Sequence, residues 1–140
     1  MAALTADFDS YILNQRAQTE RVVDAGDAVY IGSLLQLDAT GSYVEAAASG
    51  VTRKIVGQAV KGAAAADTTD TKIPCREGDI FLNLAEDGAD KPVAADIGAQ
   101  VYAASDNEIT MRSTGNAKVG ILIAIENGGA VVRCTQEANL

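Results

Sequence analysis

DIGAQVYAASDNEITMRSTGNAKVGILIAIENGGAVVRC, residues 96–134, holds four strand-like runs and two tight turns. The first pair of runs meets across Asp106-Asn107 and the second across Asn127-Gly128-Gly129. Asn and Gly tolerate the positive φ that short hairpin turns demand. A polar loop, Ser113-Thr114-Gly115-Asn116, separates the two hairpins. The stretch reads as a compact antiparallel meander, and it carries no evident catalytic set.

Outward from the meander, the same grammar continues. Strand-like runs are expected at 28–31, 34–37, 42–45, 54–60, 71–76 and 80–84, divided by turns at Asp24-Ala25-Gly26-Asp27 and Asp38-Ala39-Thr40-Gly41. Pro74 lacks a ladder donor, which predicts an edge or bulged strand. Ile80, Leu82 and Leu84 alternate and so share one face. The alanine run Ala63–Ala66 is compatible with one helical turn. A loose internal echo is present: Gly26-x-x-Val29-Tyr30 against Gly98-x-x-Val101-Tyr102, and Lys54-Ile55-Val56-Gly57 against Lys118-Val119-Gly120. Its spacing is not that of a fixed-period array.

Residues 1–23 differ from the rest. Leu4, Phe8, Tyr11 and Ile12 fall at i, i+4, i+7 and i+8, one helical stripe, followed by polar residues that include Arg16 and Arg21. So short a stripe needs a surface to hold it. Two expectations stand: a helix lying on its own domain, or an arm that orders against another subunit. The fold expected is mainly β: a small antiparallel β-sandwich or barrel-like domain over 24–140, preceded by an N-terminal arm or short helix over 1–23. With the β core starting near Val22, removal of residues 1–21 is expected to leave the melting transition nearly intact.

Composition bounds the function. The 140 residues suit a single domain. A net charge of −8 argues against wrapping nucleic acid or lying on an anionic membrane. No run approaches a membrane span, and the first residues lack the basic and apolar regions of a signal peptide, so a cytosolic origin is expected. There Cys75 and Cys134 are expected as reduced core thiols, each on the apolar face of its strand. The chain has no His, which removes the commonest general base and metal ligand and makes a Ser-His-Asp or Cys-His site impossible. Asp67, Asp70, Asp87 and Asp90 match no calcium-loop spacing. Neither a phosphate loop nor a cofactor motif is present. No metal, cofactor or enzyme activity is expected. Tyr30, Tyr43 and Tyr102 are expected half-buried.

One resemblance sharpens this. Lys91-Pro92-Val93-Ala94-Ala95-Asp96-Ile97-Gly98, Gln100-Val101-Tyr102-Ala103-Ala104, Ser105-Asp106-Asn107-Glu108-Ile109-Thr110, Lys118-Val119-Gly120-Ile121-Leu122 and Val131-Val132-Arg133 resemble the head decoration, or capsid cement, proteins of tailed bacteriophages. Gly26-Asp27-Ala28-Val29-Tyr30 and Ile55-Val56-Gly57-Gln58-Ala59 also look like that family. The resemblance implies a non-enzymatic structural protein on the exterior of an icosahedral head, made in the host cytoplasm and binding the major capsid protein near local threefold or twofold axes. It implies a homo-oligomer, a trimer in preference to a dimer, and an arm reaching onto neighbouring subunits. On that reading Leu4, Phe8, Tyr11, Ile12, Arg16 and Arg21 form the interface. The competing class is a small ligand- or receptor-binding β domain of a tail or surface protein, which requires a concave, aromatic-lined pocket.

Overall fold

The structure, a computed structural model, describes residues 18–77 and 80–134. They form ten strands and one 3₁₀ turn, Ala94–Asp96. The first five strands are β1 (Gln18–Val23), β2 (Leu34–Leu37), β3 (Val44–Ala46), β4 (Ile55–Ala59) and β5 (Thr71–Arg76). The second five are β6 (Ile80–Ala85), β7 (Gln100–Ala103), β8 (Glu108–Thr110), β9 (Lys118–Glu126) and β10 (Gly129–Cys134). Each set closes into its own barrel, in the orders β1-β3-β2-β4-β5 and β6-β8-β7-β9-β10. The mainly β expectation holds, but the body is two barrels in tandem rather than one.

The two barrels repeat one topology. β1 and β6 each lie parallel to the third strand of their set and antiparallel to the fifth. The second strand pairs with both the third and the fourth. Both predicted hairpins form, β7 with β8 and β9 with β10. They do not join as a meander, because β9 pairs with β7 while β8 turns its other edge to β6. Closure of the sheet leaves no edge for Pro74; it sits in β5 one residue past the last β4 pair, Ala59–Cys75. Residues 28–31 make only an isolated bridge, Val29 to Ala63, and the alanine run that follows is a turn rather than a helix.

The internal echo is real at one end and misregistered at the other. Gly57 lies opposite Leu35, and Gly120 opposite Val101, with a register shift beside each pair. A Cβ on Gly57 would lie 1.8 Å from the Arg76 carbonyl oxygen; one on Gly120 would lie 1.9 Å from that of Arg133. The counterpart of Gly98 is Gly32, not Gly26. Gly32 N–H donates to Ala59 O at 2.9 Å and Gly98 N–H to Leu122 O at 2.8 Å, at φ of 91° and 95°. In each case the acceptor lies two residues beyond the close-approach glycine.

Each barrel fills with its own inward residues. Val23, Val29, Leu35, Val44, Val56, Ala59, Ile73 and Cys75 make the first core. Phe81, Val101, Ile109, Val119, Leu122 and Val132 dominate the second, and Leu34, Ala47 and Ile55 of the first barrel join them. Superposing the ladders puts Gln100, Arg112 and Lys118 at the positions of Leu34, Ala47 and Ile55. The three residues that dock the first barrel on the second are thus replaced by polar or charged ones at the same positions of the second barrel.

One expectation changes in β1, and one residue named for an interface gains a partner inside the barrel. Residues 18–23, expected within the arm, are a full strand laddered to β5. Arg21, expected at a docking interface, is bound within the barrel: its Nε and Nη2 donate to Glu77 Oε2 and Oε1 at 2.6 and 2.8 Å. Thr19 also donates to Glu77. Burial alone would raise the Glu77 carboxyl, but the Arg21 and Thr19 hydrogen bonds outweigh it and hold its pKa below the ordinary value. A depressed pKa stabilises the fold above the unfolded value, and that stability disappears as pH falls through the folded one. Wild type should therefore exceed Glu77→Gln by about 1 kcal/mol at neutral pH. The gap should close as pH drops below the usual carboxylate range, as thermal melts across pH will register.

Both thiols lie where the strand alternation puts them, Cys75 with Ile73 and Cys134 with Val132, all at most 1% exposed. Burial pushes the Cys75 thiol up to about 12. With little thiolate and no access, native protein should resist iodoacetamide at pH 8 and take up two equivalents only in denaturant, as read by mass spectrometry.

Candidate docking surface

The alternation of β6 determines what the molecule shows to its surroundings. Phe81 and Asn83 point inward at 5% and 6% exposure, which turns Ile80, Leu82 and Leu84 outward. Their shared face is the outer one. Leu82 pairs across the ladder with Val131, and glycine at 129 leaves it room: a Cβ there would lie 2.8 Å from Leu82 Cδ1.

Beside this row the loop before β2 presents Tyr30 and Ile31, exposed by 72% and 76%. Tyr30 is not the half-buried strand residue expected, because its stretch is a loop and its side chain lies in solvent. Tyr30, Ile31, Leu82 and Leu84 together line a groove of about 560 Å³ at the junction of the barrels. Its remaining walls are polar. Ser33 Oγ donates to Asp106 Oδ2 at 3.0 Å, and Gln58 Nε2 donates to the Leu82 carbonyl at 3.2 Å. One backbone bond crosses the junction, Leu34 N–H donating to Asp106 O at 2.5 Å, while Leu84 N–H donates to Asn107 O at 3.0 Å and holds the same turn to β6 within the second barrel. The Asp106-Asn107 turn, legible as a hairpin, thus also latches one barrel to the other.

An apolar patch rimmed by polar groups is the usual mark of an interaction site. Each of these side chains is half or more exposed, so covering one recovers on the order of 1 kcal/mol. Among the described residues no three His, Cys, Asp or Glu groups converge to hold a metal ion. The loop acids that match no calcium-loop spacing serve turns and ion pairs. Asp67 accepts from Ala64 N–H and Thr71, and Asp90 and Glu86 flank Arg112.

Of the predicted interface residues, Leu4, Phe8, Tyr11, Ile12 and Arg16 lie outside the described residues, and Arg21 belongs to β1. The groove was missed because alternation shows that Ile80, Leu82 and Leu84 share a face but not which side that face takes. The available signal was Phe81, the largest side chain in the run and the one that fills the barrel. No helix among the described residues is long and apolar enough to cross a membrane. Compared with family models, curated proteins and solved structures, the chain matches none.

Proposed function

We propose that the protein is a capsid decoration protein, a non-enzymatic subunit that binds the exterior of an icosahedral phage head through the major capsid protein and stabilises it. The observation that carries this reading is the exposed apolar groove across both barrels. A subunit that binds only the assembled lattice stabilises it by mass action. Contacts to several capsomers, made by a homo-oligomer, add avidity without any one being strong. The net charge of −8 suits a station outside the shell, away from packaged DNA. The groove offers a small ligand one aromatic, Tyr30, and so supports the ligand-binding alternative less well.

Co-sedimentation with shells that lack this protein tests the reading. Wild type should bind and raise the shells' thermal resistance. Leu82→Asp/Leu84→Asp should keep its cooperative melt, since both side chains lie on the outer face and are about half exposed, and should bind at least tenfold more weakly. Failure of wild type to bind any such shell would refute the function; undiminished binding by the double variant would refute the groove as its docking face.

A further inference from the structure

We infer that in the unassembled chain the groove is covered from within, by the apolar stripe of residues 1–17 of the same molecule. The ladder registers show where that segment departs. Gln18 and Gln58 flank Arg76 on either side, so Gln18 stands two strand spacings, about 10 Å, from a residue lining the groove. Arg76 Nη1 donates to Gln58 Oε1 at 2.9 Å, and Gln58 in turn holds the Leu82 carbonyl of β6. Followed from Val23 back to Gln18, β1 points the way β5 points from Thr71 to Arg76, and that is the direction in which the chain passes into β6.

Reach and chemistry agree with this placement. Ile12 is six residues upstream of Gln18 and can extend about 20 Å, while Leu4 can extend about 50 Å. Tyr11 and Phe8 fall between. The stripe of Leu4, Phe8, Tyr11 and Ile12 is apolar in sequence, and the groove presents Tyr30, Ile31, Leu82 and Leu84 half or more exposed. A tethered segment meets such a surface at millimolar effective concentration, which a second copy at micromolar concentration does not match. The cover keeps an apolar strip from self-association in solution, and a docking partner would have to displace it.

Disulfide trapping decides the matter with no shell present, so its outcome is independent of the capsid reading. Phe8→Cys/Leu84→Cys is oxidised with diamide at micromolar protein, and Phe8→Cys/Thr114→Cys, at an exposed position outside the groove, serves as the control. Cys75 and Cys134 are too buried to compete. The expected product is a monomeric 8–84 disulfide, mapped by peptide mass, forming at least tenfold faster than the control bond. A disulfide-linked dimer would overturn the proposal in favour of a neighbour's segment. Equal rates at 84 and 114, or no bond at 84, would overturn it outright.

Discussion

Gly57→Ala and Gly120→Ala are each expected to disrupt the barrel they belong to, although each adds only one methyl group. At both positions the new Cβ would meet a backbone carbonyl oxygen, at 1.8 Å from Arg76 and 1.9 Å from Arg133. Such an atom cannot rotate away as a side chain can. Relief requires the fourth and fifth strands to separate where they close the barrel, and their ladder bonds go with them. Overpacking a well-filled core by a methylene already destabilises by 1–3 kcal/mol, so a clash with rigid backbone should remove about 3 kcal/mol or more. For a chain of this length that lowers the melting temperature by on the order of 10 °C. Scanning calorimetry should show the loss in either variant. Gly41→Ala, where a Cβ meets nothing within 4 Å, should pay only the strain of its φ of 77°. Near-wild-type melting of both Gly57→Ala and Gly120→Ala would mean that the shared close approach is not what closes these barrels.

Truncation is the second large effect, and it corrects the boundary suggested by composition. Removal of residues 1–21 is expected to unfold the first barrel. It takes four of the six β1 residues and the pairs Gln18–Arg76, Thr19–Cys75, Glu20–Pro74 and Arg21–Ile73. It also strips Glu77 of both its side-chain donors, Arg21 and Thr19. β1 closes the sheet, and its only other partner is β3 through Val23–Val44, so nothing remains to seal the gap over Ile73 and Cys75. A domain of ordinary stability, about 5–15 kcal/mol in all, does not survive the loss of a barrel strand. Removal of residues 1–17 should keep the barrels and one cooperative transition, shifted far less. Circular dichroism and calorimetry on the two truncations separate the cases. Matching melts for both would show that β1 contributes nothing to closure.

What could be read from the chain was local. Asn127-Gly128, at φ of 51° and 78°, turns through a conformation that only certain residues adopt, whereas Asp106-Asn107 turns without a positive φ and was legible only as a polar break between two apolar runs. Ile73 with Cys75 and Val132 with Cys134 follow the period of a strand, which needs no knowledge of partners. The echo at Gly57 and Gly120 was visible because a close approach leaves glycine no substitute. Residues 18–23 were not legible, since Gln18, Thr19, Glu20 and Arg21 are polar on both faces and become a strand only through the ladder to β5 and the pair with Glu77. Nor could sequence place β8 beside β6, or reveal that Leu34 and Ile55 serve the neighbouring barrel's core. Those depend on contacts between residues far apart in the chain. The same holds for the groove: a period of two states that Ile80, Leu82 and Leu84 lie together, but only the closed barrel, with room inside for Phe81, determines that they face outward.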